Sequence, residues 1–194
     1  VGDGDIMEGV AHEAASLAGH LKLGNMIYLY DSNAITIDGS TDISMSDDVD
    51  GLFTAYGWQT IEIDGHDHNA VAAAIEKGQK EKEKPTLIIA TTHIGYGSPG
   101  KQDSAAVHGA PLGEDEVEKT KHNLGWPLDK PFYIPPEVKD LFSGYIKDNN
   151  EYYEEWHKRF SQWQKNNPEK AEKLHQRLAP EIPEDLAGRL LAAI

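Results

Sequence analysis

The sequence predicts an α/β chain, a parallel sheet with flanking helices followed by a helical arm. Three observations carry this reading. Up to about Pro135, short apolar runs alternate with segments of helical period. The runs lie one helical crossover apart, which implies parallel strands joined in the right-handed sense. Beyond Pro135 the chain turns charged and aromatic and keeps a helical period.

Val1 reads as the end of a strand and residues 2–5 (GDGD) as a turn. Residues 8–21 are rich in Ala and Leu, with Val10, Ala14, Leu17, Ala18 and Leu21 at helical spacing and Gly24 as the stop. Residues 26–30 (MIYLY) predict a short buried strand, and the polar residues 31–47 an irregular loop. A helix is expected over 48–55, an alternating strand over 58–63 (WQTIEI), and a helix over 69–80 with Val71, Ala74 and Ile75 on one face. Pro85 opens a strand over 86–92 (TLIIATT). Ligands of parallel sheets sit at the carboxyl ends of the strands. Residues 2–8, 31–39 and 93–112 are therefore expected to converge on one edge.

In the later part, Tyr152, Trp156, Phe160 and Trp163 form one helical stripe within residues 147–165. Asn167-Pro168 opens a helix reaching Leu178, and a shorter helix follows Pro183. The expected organisation is an α/β domain over residues 1–145 and a helical linker over 146–194. There is no internal repeat.

Composition narrows the function. Among 194 residues, 33 are acidic and 18 basic, for a formal net charge of −15. That balance disfavours nucleic acid and an anionic membrane surface as partners. An anionic ligand would need a metal ion or backbone N–H groups to hold it. The absence of cysteine excludes disulfides, a thiolate nucleophile and a Cys-based metal site, and fits a cytoplasmic location. No apolar run is long enough to span a bilayer. The chain opens with Val1 beside a glycine-flanked turn, so an upstream strand is expected outside it.

Gly2-Asp3-Gly4 lets the backbone approach a ligand closely, with Asp3 able to offer Mg²⁺ a carboxylate oxygen. Alone, this is more readily a plain turn. About thirty residues on, after the apolar run, stands Asn33. Its amide oxygen is a second candidate ligand, and the carbonyl of Ile35 a third. A Gly-Asp-Gly, a spacer of about thirty and an Asn form the thiamine-diphosphate fingerprint. The stretches GDGDIMEGVAHEAASLAGHLKLGN, YDSNAITIDG and TTHIGYGSPGKQDSAAVHGAPLG together resemble transketolase, over nearly the whole chain. The resemblance corresponds to the later part of that family's diphosphate-binding domain and the linker after it.

The resemblance implies an incomplete thiamine-diphosphate-binding fold, lacking the upstream half of its domain. The pyrimidine-binding domain, with its activating glutamate and sugar-phosphate arginines, would also lie outside. It implies thiamine diphosphate and Mg²⁺ as cofactors, with Ca²⁺ as a substitute. Asp3, Asn33 and the Ile35 carbonyl match the metal ligands. Gly4 and Asn33 match contacts to the diphosphate, and Ile37 an apolar contact to the cofactor rings. Glu8 matches an acidic cofactor-site residue at the subunit interface. His108, in VHGAPL, matches a histidine near both diphosphate and substrate carbonyl, suited to stabilising a developing oxyanion or moving a proton. Such an enzyme is a cytoplasmic homodimer of the pentose phosphate pathway. It moves a two-carbon ketol unit from a ketose phosphate to an aldose phosphate, using chemistry the cofactor carries; the fragment alone is expected to be inactive. A dihydroxyacetone synthase-type relative is not separated by these residues. A non-catalytic α/β module binding a protein partner is the reading from another class.

Other signals are weaker. His12-Glu13 lacks the second histidine of a zinc-protease helix, since position 16 is Ser16. His66 and His68 around Asp67 read as a solvated loop before a metal pair. The aromatic stripe reads as a docking face, and residues 114–118 as a solvated acidic helix face.

Overall fold

A computed structural model describes residues 1–179, 182 and 184–193. The chain divides into two compact units, Val1–Pro131 and Phe132–Ile194. The first unit is built on a three-stranded parallel sheet. In chain order its main elements are α1 (Asp3–Ile6), α2 (Gly9–His20), β1 (Ile27–Ser32), α3 (Val49–Ala55), β4 (Gln59–Asp64), α4 (His68–Lys80), β5 (Thr86–Thr91) and α5 (Glu114–Asn123). Between β1 and α3 lies a small antiparallel hairpin, β2 (Ile35–Thr36) and β3 (Gly39–Ser40), and a 3-10 turn, Thr41–Ile43. The loop expected over 31–47 is thus partly ordered.

The sheet order is β1-β5-β4, so the last strand in sequence is the central one. Leu87 and Ile88 of β5 are fully buried, as a strand covered on both faces requires. Residues of β1 that also read as buried are not: Tyr28 and Leu29 are 43% and 42% exposed. Strand β1 pairs along one edge with β5, and its outer edge carries Val1 and Gly2, through the Asp31 N–H on the Val1 carbonyl (2.8 Å) and a parallel bridge from Gly2 to Asp31.

One sheet face carries the main core, Ile6, Ala15, Ala18, Tyr30, Phe53, Trp58 and Leu87. The Trp58 indole N–H donates to the Ala15 carbonyl at 2.8 Å, and Phe53 meets the indole edge-on. On the other face α4 approaches Ile27 and Thr86 through Gly78. Asp67 caps α4 by accepting from the N–H groups of Asn69 and Ala70, and Asp48 caps α3 by accepting from that of Gly51.

Helix α2 departs from its expected face. Its buried residues are Ala15 and Ala18, while Val10 and Leu17 are 70% and 57% exposed. It also stops before Gly24: Lys22 takes a left-handed φ of 52°, and the Leu23 N–H returns to the Ala18 carbonyl. Gly24 lies instead where the backbone of Lys82 passes too close for a Cβ. Likewise, the GDGD turn is a single helical turn, α1, in which Asp5 accepts from the Gly2 N–H at 2.8 Å.

The acidic face expected over 114–118 is interrupted. Glu116 turns inward, accepting from the Ser98 hydroxyl (2.6 Å) and the Gly100 N–H (2.7 Å), with Lys119 at 3.7 Å. The Lys101 ammonium donates to the Leu112 carbonyl at 2.8 Å. These bonds clasp the long segment after β5 to α5.

The second unit contains α6 (Pro136–Asn166), α7 (Pro168–Leu178) and α8 (Leu186–Ala192). Asn167-Pro168 breaks α6 from α7 as the sequence suggests. Pro183 lies outside the described residues. On α6, Trp156 stacks on Phe160 (4.8 Å) and Phe160 on Trp163 (5.6 Å). No helix among the described residues is long and apolar enough to cross a membrane.

Two outcomes test this packing. A Cβ at Gly19 would collide with the Tyr56 carbonyl; Gly19→Ala is expected to cost about 1–3 kcal/mol, read as a lower urea midpoint. The Ser98 hydroxyl and then the Gly100 N–H hold the Glu116 carboxyl below its usual value of 4.5. Its contribution is therefore complete above 4.5 and lost as pH falls through the lower folded value. Hydrogen-exchange protection of the Gly100 amide should fall along that acid limb, and Glu116→Gln should lower it at neutral pH and flatten the limb.

Candidate cofactor and metal site

A cleft of about 520 Å³ lies beyond the carboxyl end of β1, to which Asp3 in its wall is bonded. Three segments line it, as the strand order requires: Gly2, Asp3 and Gly4 from the first loop, Ile35 and Ile37 from the hairpin, and His108 from the segment after β5.

Asp3 is the fixed point. It is 4% exposed, and both oxygens are engaged. Oδ1 accepts from the Tyr30 hydroxyl at 2.7 Å and Oδ2 from the Asn33 backbone N–H at 3.1 Å. Asn33 does not itself line the cleft; it stands beside Asp3 at the end of β1. Its Oδ1 accepts from the Ile35 N–H at 3.0 Å, an Asx turn that starts the hairpin. Ala34 between them takes φ 60°, which lets the chain double back. The three expected metal ligands are thereby linked in series through hydrogen bonds, Asp3 to Asn33 to Ile35.

Gly4 is open to the cleft, with nothing within 4 Å of a Cβ placed on it. Ile37 is 73% exposed, an apolar side chain in solvent at the cleft wall. His108 follows the 3-10 turn Ala105–Val107, which Ser104 caps by accepting from the Ala106 N–H. Gly109, at φ 69°, turns the chain away after it. Glu8 is not brought to this cleft. It is the exposed N-cap of α2 and lines a neighbouring groove of about 490 Å³, together with Val10, Ala14, Phe53 and Trp58.

The donor set fits a small hard cation. A carboxylate, a side-chain amide and a backbone carbonyl are all oxygen ligands of the kind Mg²⁺ takes, with remaining positions left to phosphate and water. Asp3 receives only neutral donors from Tyr30 and Asn33, so its charge is uncompensated by them. Among the described residues lining the cleft there is no Lys or Arg, whereas Asp3, Asp5 and Asp38 are all present. A diphosphate could enter this acidic cleft only with a cation. No three His, Cys, Asp or Glu side chains among the described residues converge as a metal-binding group. In particular, His66 and His68 do not form one: His66 stacks on Tyr96 (4.1 Å) and accepts from the His93 N–H, while His68 begins α4.

Three residues that hold the surrounding structure carry no sequence signal of their own. Tyr30, 3% exposed, reads as strand core like Tyr28 two residues before it. Burial, together with Asp3 and against a Ser32 hydrogen bond, pushes its hydroxyl up to about 12, so it stays a donor. Asp31 accepts from the Thr92 hydroxyl, joining the ends of β1 and β5. Glu116 is visible only as one acid in an acidic helix.

Residues 1–183 match the transketolase family's thiamine diphosphate binding domain. The transketolase of Bacillus subtilis is 45% identical over 186 residues, covering 95% of this chain and 28% of that protein. Transketolase 1 of Saccharomyces cerevisiae is 45% identical over 193 residues, covering 98% of this chain and 28% of that one. Among solved structures, Pichia stipitis transketolase in complex with sedoheptulose-7-phosphate superposes with a TM-score of 0.78 at 40% identity, over 95% of this chain and 28% of that chain. The Leishmania mexicana transketolase does so with a TM-score of 0.79 at 34% identity, over 94% and 28%. The chain thus spans only 28% of the length of these relatives. With the cleft at the strand ends and a family match over most of its length, the chain belongs to the transketolase family and carries its thiamine diphosphate binding domain.

Proposed function

We propose that this chain supplies the Mg²⁺- and diphosphate-holding half of a transketolase active site. The observation that carries the reading is one acidic cleft lined by Asp3, Gly4, Ile35, Ile37 and His108. The complete enzyme moves a two-carbon ketol unit from a ketose phosphate to an aldose phosphate. Thiamine diphosphate, when bound, supplies the carbanion chemistry of that transfer.

The chain's own residues have defined tasks. Asp3, Asn33 and the Ile35 carbonyl hold Mg²⁺, and Ca²⁺ fits the same oxygens less strictly. Gly4 leaves room for the diphosphate, and Ile37 covers the apolar rings. His108 donates a hydrogen bond to the substrate oxygen as charge develops there, or carries its proton. Residues 1–145 act as the binding domain and 146–194 as a linker toward a pyrimidine-binding domain. The enzyme is a cytoplasmic homodimer. Glu8 and the exposed apolar residues Val10 and Leu17 of α2 suit a subunit interface. Sugar phosphates as substrates accord with the sedoheptulose-7-phosphate held by the Pichia stipitis relative.

Calorimetric titration of thiamine diphosphate, with and without Mg²⁺, tests the site. Binding should require Mg²⁺, and Asp3→Ala should weaken it more than about 100-fold. Binding indifferent to both would overturn the reading. In the complete enzyme, His108→Ala should lower kcat by about 100-fold or more, read in a ketol-transfer assay.

A further inference from the structure

The buried hydroxyl of Tyr30 needs a reason. The ring lies in the core with Ile6, Phe53 and Leu87, where phenylalanine would fill the same space without burying an oxygen. The position is rigid: Tyr30 is 3% exposed, and β1 is registered there against Ile89 of β5. Its one O–H is spent on Asp3 Oδ1 at 2.7 Å. The opposite oxygen is held by the Asn33 N–H. The carboxylate is therefore gripped from the sheet side by a phenol and from the hairpin side by an amide, and its plane is set before any ligand arrives.

We propose that Tyr30 is a positioning residue, fixing Asp3 so that its remaining lone pairs face the cleft and receive Mg²⁺. The inference rests on the metal-site reading above and extends it to a residue that touches neither metal nor cofactor. Groups that hydrogen-bond metal ligands fix their orientation, and losing one costs about 10–100-fold in metal affinity. Tyr28 provides an internal control. It shares the strand and its face, but its ring lies against Trp58 at 5.5 Å and it is 43% exposed.

The test uses the complete protein as wild type, Tyr30→Phe and Tyr28→Phe. Mg²⁺ affinity is measured by calorimetry in the presence of thiamine diphosphate, and kcat as a function of Mg²⁺ concentration. Tyr30→Phe is expected to weaken Mg²⁺ binding about 10–100-fold, with kcat recovered at saturating Mg²⁺, and Tyr28→Phe to match wild type. Unchanged or tighter Mg²⁺ binding in Tyr30→Phe overturns the inference alone. A kcat loss that saturating Mg²⁺ does not restore, or an equal effect in Tyr28→Phe, does so too, because either marks a general structural role. Wild type that binds the cofactor without regard to Mg²⁺ overturns both this inference and the metal-site reading.

Discussion

A carboxylate taken out of water must be hydrogen-bonded or neutralised, or the fold bears a cost of several kcal/mol. Asp3 meets that demand with a phenol on one oxygen and a backbone amide on the other. Those two bonds tie the first loop to the end of β1 and to the start of the hairpin. Satisfying one buried acid thus brings two of the three cleft walls together.

A second buried carboxylate, Glu116, shows the opposite solution. It takes the Ser98 hydroxyl and the Gly100 N–H, and Lys119 stands within 3.7 Å. Its charge is answered inside the protein, and its effect is to fasten a segment. The donors on Asp3 are neutral, and its other side opens on a cleft with further aspartates. The arrangement around Glu116 is closed, whereas that around Asp3 leaves charge for a cation to answer.

The parallel sheet, the order of helices and strands, and the convergence of three loops were legible in the sequence, because each rests on periodicity or on the geometry of a crossover. Asp3, Gly4, Ile35, Ile37 and His108 were legible as cleft residues through their motifs. What escaped depends on tertiary pairing. Leu17 has the hydrophobicity of a core residue, but the sheet surface available to α2 is met by Ala15 and Ala18. Gly24 resembles a helix stop, yet it answers the close passage of Lys82. Tyr28 and Tyr30 share a strand face, and it is their tertiary surroundings, burial and the position of Asp3, that distinguish them. Glu8 follows its motif closely, but the turn of α1 carries it into the neighbouring groove.

The position of β5 bears on how the chain can assemble. Strands β1 and β4 are both written before it, and each pairs in the sheet with β5 rather than with the other. Within this chain neither β1 nor β4 meets the strand it pairs with in the sheet until β5 emerges. Closing that distance in sequence costs loop entropy before any contact rewards it. The bond from Thr92 to Asp31, one residue beyond β5, can form only once β5 is made. The cleft is therefore a late product of assembly, shaped only after the middle of the sheet has been inserted between two strands already waiting for it.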